Sequence, residues 1–197
     1  MRQIALILFG LLVVAYPFAV YFGLQVLSLR QLALVLFAIF VIRLFLLAKG
    51  SEMQQASSST LFTKVTGYGG ALVGVGLLLV VVVSNEAVLL RFYPVCMNLL
   101  MLLLFVWTLL NPPSAIERVA RRFDPNLSEL GVRHTRQVTQ VWCLFFIING
   151  AVAGYTALYA SMDTWTLYNG FIAYLLMGLL FAGELLVRYI RKQRAGE

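Results

Sequence analysis

The residues best suited to chemistry in this chain of 197 residues are five arginines within one polar stretch, residues 111–137. Guanidinium groups bind phosphates and carboxylates through paired hydrogen bonds. We therefore expect the stretch either to hold lipid headgroups or an acidic partner protein, or only to anchor a loop at the membrane surface. Its arginines are Arg118, Arg121, Arg122, Arg133 and Arg136.

Polar residues inside long apolar segments form a second candidate site, because placing them in lipid is costly and usually serves a function. Arg91 and Asn98 are seven residues apart and share one helix face. We expect Arg91 either to pair with Glu86 or reach phosphate groups, or to line a cavity that holds an anionic lipid headgroup.

A later apolar segment carries another polar face. Four of its residues follow at intervals of seven and so lie on one side of a helix: Thr135, Trp142, Asn149 and Thr156. Asn149 falls near the middle of the segment and is expected to form a hydrogen bond with a neighbouring helix. The predicted lipid- or ligand-binding residues are Arg91, Asn98, Trp142 and Asn149.

Signatures of catalysis are scarce in the sequence. His134 is the single histidine and has arginines near it rather than an acid, so we expect a surface residue and not a general base. The motifs of zinc proteases, serine hydrolases, P-loop enzymes and dithiol enzymes are absent. Carboxylates are too sparse in the apolar segments for a metal site, and no catalytic residue, metal or cofactor is predicted.

The elements that must position these residues are long apolar helices. Hydrophobic residues make up 61% of the chain and charged residues 12%, against about 25% charged in soluble domains. About 20 apolar residues cross the hydrocarbon core of a membrane. The sequence therefore predicts an all-α polytopic membrane protein, a single domain with six transmembrane helices at about 4–24, 30–48, 66–84, 88–110, 138–160 and 165–186.

A short amphipathic helix is predicted between helices four and five, within the cytoplasmic loop 111–137. Pro113 stops the preceding span, and Ser114 with Glu117 forms a capping box that starts the new helix. Apolar residues follow on one face and arginines on the other, which suits a helix lying in the membrane interface. Asp124 and Pro125 end it.

The distribution of lysine and arginine sets the predicted orientation. Most of these residues fall on one side of the six-span arrangement, and basic short loops mark the cytoplasmic face. Both termini are therefore expected in the cytoplasm. Because topology explains the net charge of +7, nucleic-acid binding is not expected.

Small residues four apart predict close helix packing and are compatible with a homodimer. They are Gly70 with Gly74, Gly150 with Gly154, and Gly178 with Ala182. The dipeptide Tyr-Pro occurs twice, at Tyr16 and Tyr93, and each proline frees one backbone carbonyl within a span. Trp165 and Tyr168, at the start of the last span, fit an interfacial aromatic belt.

One long segment resembles known proteins. Residues 136–184, RQVTQVWCLFFIINGAVAGYTALYASMDTWTLYNGFIAYLLMGLLFAGE, look like a family of uncharacterised bacterial inner-membrane proteins encoded among genes for aryl-polyene pigments and related fatty-acid-like products. This resemblance extends over about residues 90–190. More distantly, about residues 110–175 resemble the intracellular septation protein A family. The resemblance implies a protein of the bacterial inner membrane that is linked to envelope lipid or pigment assembly, and it implies no reaction.

Three functions are compatible with the sequence. The preferred one is a non-enzymatic accessory protein of envelope lipid or aryl-polyene-type lipid assembly, which binds a membrane lipid or docks cytoplasmic biosynthetic enzymes. Such enzymes work with acyl carrier proteins, which are acidic enough to dock on the arginines. The second is a transporter or flippase for an amphipathic anionic lipid, using Arg91 and Asn98. The third is a membrane acyl- or glycosyl-transferase with His134 or Glu184 as base.

Overall fold

The computed structural model describes residues 15–52 and 61–195, and the regular structure in these ranges is helical. The predicted all-α class is therefore confirmed there, while the first half of the predicted span 4–24 lies outside the described residues. In chain order the elements are α1 (residues 15–26), α2 (Leu29–Glu52), α3 (Leu61–Ser84), the 3-10 turn (Ala87–Phe92), α4 (Tyr93–Leu110), α5 (Ala115–Phe123), α6 (Glu129–Tyr159), α7 (Met162–Leu167), the π segment (Tyr168–Ile172) and α8 (Ala173–Ala195).

Three helical segments are long and apolar enough to cross a membrane: Ala87–Leu110, Glu129–Tyr159 and Met162–Val187. They correspond to the last three predicted spans. Two earlier helices carry shorter apolar stretches among the described residues, Leu29–Ile42 and Tyr68–Ser84. The structure thus supports a membrane protein with three candidate spans and does not confirm six.

Close packing of α4 against α6 sets the centre of the bundle. A Cβ atom added to Gly150 would lie 3.1 Å from the Asn98 Cβ, so the missing side chain lets the two helices approach. Gly74 likewise faces the Phe40 ring of α2, where an added Cβ would lie 2.6 Å away. The predicted small-residue contacts are confirmed at Gly150 and Gly74. At Gly178 on α8, by contrast, an added Cβ would have no described atom within 4 Å.

The amphipathic helix predicted after span four is present as α5. Of the predicted capping box, the Ser114 amide donates to the Glu117 carboxylate at 3.3 Å, whereas the Ser114 hydroxyl is buried without a hydrogen-bond partner among the described residues. The next helix, α6, begins earlier than expected. The Ser128 hydroxyl accepts a hydrogen bond from the Gly131 amide at 3.3 Å and caps α6. Because α6 starts at Glu129 rather than near residue 138, the end of the predicted loop 111–137 is helical.

Two buried threonines fix the start of α5 to the bundle. The first amides of a helix have no partner within it. The Ala115 amide donates to the Thr108 hydroxyl of α4 at 2.9 Å, and the Ile116 amide donates to the Thr139 hydroxyl of α6 at 3.3 Å. Both threonines are fully buried, so α5 is tied by its backbone to the two best-packed helices.

Replacing Thr108 tests this tie. The change Thr108→Val leaves the Ala115 amide without its partner and should lower the free energy of unfolding by about 1–3 kcal/mol. Thr166 is the matched control, because its hydroxyl is also buried but has no hydrogen-bond partner among the described residues. Thr166→Val should leave thermal unfolding of the detergent-solubilised protein unchanged or raise its midpoint. Equal losses for both variants would contradict the role given to Thr108.

Candidate functional site

A cavity of about 150 Å³ lies where α1, α4, α6 and the start of α8 meet. Its walls combine hydroxyl and amide groups with apolar side chains. The described residues that line it include none with a charged side chain. The polar ones are Tyr16, Tyr93, Asn98, Asn149, Asn169 and Tyr174, and the apolar ones are Pro17, Pro94, Met97, Met101, Phe146, Ala173 and Met177.

The two Tyr-Pro dipeptides meet at one end of this cavity. Leu90 lies in the 3-10 turn, and Pro94, which has no amide hydrogen, lies in the first turn of α4, where that amide would have no partner within the helix. The Tyr16 hydroxyl donates to the Leu90 carbonyl at 2.8 Å. The ring centroids of Tyr16 and Tyr93 are 4.5 Å apart. A hydrogen bond and a ring contact thus join α1 to the start of α4 at this end of the cavity.

An amide pair crosses the cavity wall between α4 and α6. The Asn149 side-chain amide donates to Asn98 Oδ1 at 3.0 Å, and the Tyr168 hydroxyl donates to Asn149 Oδ1 at 2.9 Å. Asn98 also donates to the Pro94 carbonyl at 2.8 Å. The predicted hydrogen bond from Asn149 to a neighbouring helix is therefore confirmed, and its partner is the other predicted asparagine.

The π segment brings two consecutive residues to α6. Asn169 donates to the Thr156 hydroxyl at 3.2 Å and to the Trp165 carbonyl at 2.9 Å, while Tyr168 reaches Asn149. Trp165 is fully buried, so the interfacial belt predicted for it is wrong: its indole donates to the Arg91 carbonyl at 3.1 Å.

The face predicted from the seven-residue spacing on α6 is buried throughout. Its members are Thr135, Trp142, Asn149 and Thr156. Trp142 does not line the cavity. Its ring lies 5.8 Å from that of Phe146, which does, and its indole nitrogen is buried without a hydrogen-bond partner among the described residues. Trp142 therefore supports the cavity wall from behind.

Arg91 lies outside the cavity and binds the end of α6. Its guanidinium donates to the carbonyls of Ala157 at 3.1 Å and Ala160 at 2.9 Å. The same group lies 6.0 Å from the centre of the Trp165 ring. The last carbonyls of a helix lack internal partners and carry partial negative charge, so a cation stabilises them. The predicted ligand residues therefore do not form one site. Asn98 and Asn149 line the cavity, whereas Arg91 links the 3-10 turn to the end of α6.

The five arginines predicted to dock a partner fall into two groups, those bound within the loop around α5 and those that are exposed. Arg118 donates to the carbonyls of Pro113 at 2.7 Å and Asn111 at 3.3 Å, and Arg121 forms an ion pair with Glu117 at 2.8 Å. These two side chains therefore stabilise the loop around α5. The remaining predicted docking arginines, Arg122, Arg133 and Arg136, are exposed.

Several residues of the cavity were not predicted from the sequence. Tyr16 and Tyr93 had a signal in their Tyr-Pro dipeptides, whereas Asn169 and Tyr174 had none beyond polarity. His134 and Glu184, on α6 and α8, are half-buried and do not line the cavity. Within the described part of the chain, no group of three or more histidine, cysteine, aspartate or glutamate residues could hold a metal ion.

No protein-family model, curated protein or solved structure matches this chain. The resemblance of residues 136–184 to inner-membrane proteins of aryl-polyene gene clusters, and more distantly to the septation protein A family, therefore stays a hypothesis. The same holds for the link to envelope lipid or pigment assembly.

Removing the Arg91 side chain tests its role at the end of α6. Arg91→Leu leaves the carbonyls of Ala157 and Ala160 without donors and should lower the free energy of unfolding by about 1–3 kcal/mol. Arg122→Leu is the control, because Arg122 is exposed, and its effect should stay within about 0.5 kcal/mol. Thermal unfolding in detergent measures both. An Arg91→Leu protein as stable as the control would refute the capping role.

Proposed function

We propose that this chain is an integral protein of a bacterial inner membrane with six spans and cytoplasmic termini. The three long apolar helices support this, and α2 and α3, helices of 24 residues each, carry shorter apolar stretches. At about 1.5 Å per residue, each is long enough for a hydrocarbon core of about 30 Å. The arginines around α5 favour a cytoplasmic position for the connection between α4 and α6.

The proposed function is that of a non-enzymatic accessory protein that binds a lipid in envelope lipid or aryl-polyene-type lipid assembly. The observation that carries it is the cavity between α1, α4, α6 and α8, in which asparagine and tyrosine side chains meet inside an apolar bundle. Ligand sites are commonly apolar clefts with a few converging polar groups. In an apolar bundle, such groups favour a partner that can hydrogen-bond to them.

Two other functions have less support from the geometry. A flippase for an anionic lipid would use Arg91, but that guanidinium already donates to two α6 carbonyls. A transferase would use His134 or Glu184 as base, and neither residue lines the cavity. The lipid-binding proposal needs no other role for these side chains.

A second role for the same protein is docking of an acidic cytoplasmic protein, such as an acyl carrier protein. Three exposed arginines at one end of the hairpin formed by α5 and α6 favour it: Arg122, Arg133 and Arg136. Opposite charge on a partner would speed encounter and fix orientation. Arg118 and Arg121 take part less directly, because their guanidinium groups already bind within the loop.

A retained lipid is the direct test of the main proposal. Native mass spectrometry of the protein after gentle extraction should show a bound lipid in the wild type. A variant with Asn98→Leu, Asn149→Leu and Tyr168→Phe removes the polar network together, so that few partners stay unsatisfied. It should lose most of the bound lipid, while Asn126→Leu, an amide-to-leucine change in an exposed loop, should keep it. A wild type without any retained lipid would count against lipid binding.

Charge reversal tests the docking role separately. Changing Arg122, Arg133 and Arg136 to glutamate should reduce co-purification of acidic biosynthetic proteins about tenfold or more, because three attractive charges become repulsive. The same replacement of Arg30, which falls on the opposite side of the six-span arrangement, is the control and should change nothing. Binding that survives the triple reversal would exclude these arginines as the docking surface.

A further inference from the structure

We infer that the cavity holds the head of a neutral lipid, and that this head is a single six-membered ring bearing carbonyl or hydroxyl oxygens on an aliphatic tail. Quinones and phenolic lipids are the chemical class meant. The inference rests on the lipid-binding function proposed above and narrows it. Four features of the cavity carry it: its charge, its size, its unused hydrogen-bond donors and its connection to a groove.

The absence of charge excludes an anionic head. The described residues that line the cavity are uncharged, and Arg91, the cation predicted from the sequence as a ligand residue, binds the end of α6 instead. A phosphate or carboxylate moved into an apolar bundle without a counter-charge loses its hydration and gains too little in return. A neutral polar head avoids that penalty.

The size of the cavity matches one ring. Its volume is about 150 Å³, and an apolar protein cavity of about this volume is known to take up benzene. Aromatic side chains line it at several points, among them Tyr16, Phe146 and Tyr174. Such side chains stack favourably on a flat ring at centroid distances of about 4.5–7 Å.

The asparagine pair retains hydrogen-bond donors that the protein does not use. A carboxamide group has two N–H donors. Asn98 uses one for the Pro94 carbonyl, and Asn149 uses one for Asn98 Oδ1. Each side chain therefore keeps one donor, and both line the cavity. Oxygen atoms on a ring would accept these hydrogen bonds, whereas a plain hydrocarbon would leave them unmade.

A groove beside the cavity suits an aliphatic tail. It runs between α6 and α8, has a volume of about 400 Å³, and is lined mainly by apolar residues: Phe145, Ile148, Leu176, Leu179 and Leu180. Asn149 borders both the groove and the cavity. A ring held at Asn149 can therefore place its tail in the groove.

Binding to the wild-type protein in detergent tests the class of ligand without any mutation. The probes are a benzoquinone with a decyl tail, a naphthoquinone with the same tail, decanoic acid and phosphatidylglycerol. Isothermal titration should show the benzoquinone binding at least about tenfold more tightly than each of the others, a difference of about 1.4 kcal/mol. Equal or tighter binding of any other probe would overturn the ring inference.

The two proposals fail in different ways. If native mass spectrometry finds a retained phospholipid or fatty acid and the benzoquinone does not bind, lipid binding stands and the ring inference falls. If no lipid is retained and no probe binds, both fall, and water is then the occupant of the cavity.

A variant that fills the cavity supplies the matching mutational test. Ala173 is buried and lines the cavity, so Ala173→Leu should weaken benzoquinone binding about tenfold or more through steric exclusion. Gly178→Leu adds a larger side chain to the same helix where no described atom lies within 4 Å, and it should bind like the wild type. Unchanged affinity in a folded Ala173→Leu protein would place the ligand elsewhere.

Discussion

The hydrogen bond from the Tyr16 hydroxyl to the Leu90 carbonyl is the contact on which the arrangement around the cavity depends. A buried tyrosine hydroxyl needs a hydrogen-bond partner, and Tyr16 is buried. A backbone carbonyl has two lone pairs, so that of Leu90 can accept from Tyr16 in addition to a backbone amide. This contact holds α1 against the 3-10 turn and the start of α4. The Tyr16 ring then packs on Tyr93, and the resulting corner forms one wall of the cavity.

The same requirement explains two other junctions that are otherwise unrelated. Arg91 provides donors to the last carbonyls of α6, and the hydroxyls of Thr108 and Thr139 accept the first amides of α5. In each case a side chain from another element completes a helix end. Hydrogen bonds to backbone groups at helix ends therefore hold the helices together alongside apolar packing. Apolar packing alone distinguishes poorly between another helix and the surrounding lipid.

Local patterns in the sequence predicted local structure well. The capping pair Ser114 and Glu117 marked the start of α5, and seven-residue spacing identified the buried face of α6 that carries Asn149. The early start of α6 also had a local signal, a capping Ser128, which a search for apolar segments passes over. The partners of Arg91 and Tyr16 were beyond reach, because residues 66–74 positions apart meet only through the tertiary arrangement.

The π segment between α7 and α8 changes which residues of the last helix share a face, compared with a helical wheel drawn from the sequence. A π turn closes its hydrogen bonds over one more residue than an α turn, so it absorbs a residue without turning the helix that follows. A regular wheel advances by about 100° for each residue. A helical wheel drawn through residues 165–186 therefore places every residue after the π segment, Tyr168–Ile172, about 100° away from its true direction. The buried face of α8 must therefore be assigned from Ala173 onward, and it does not follow from the direction of the buried Trp165.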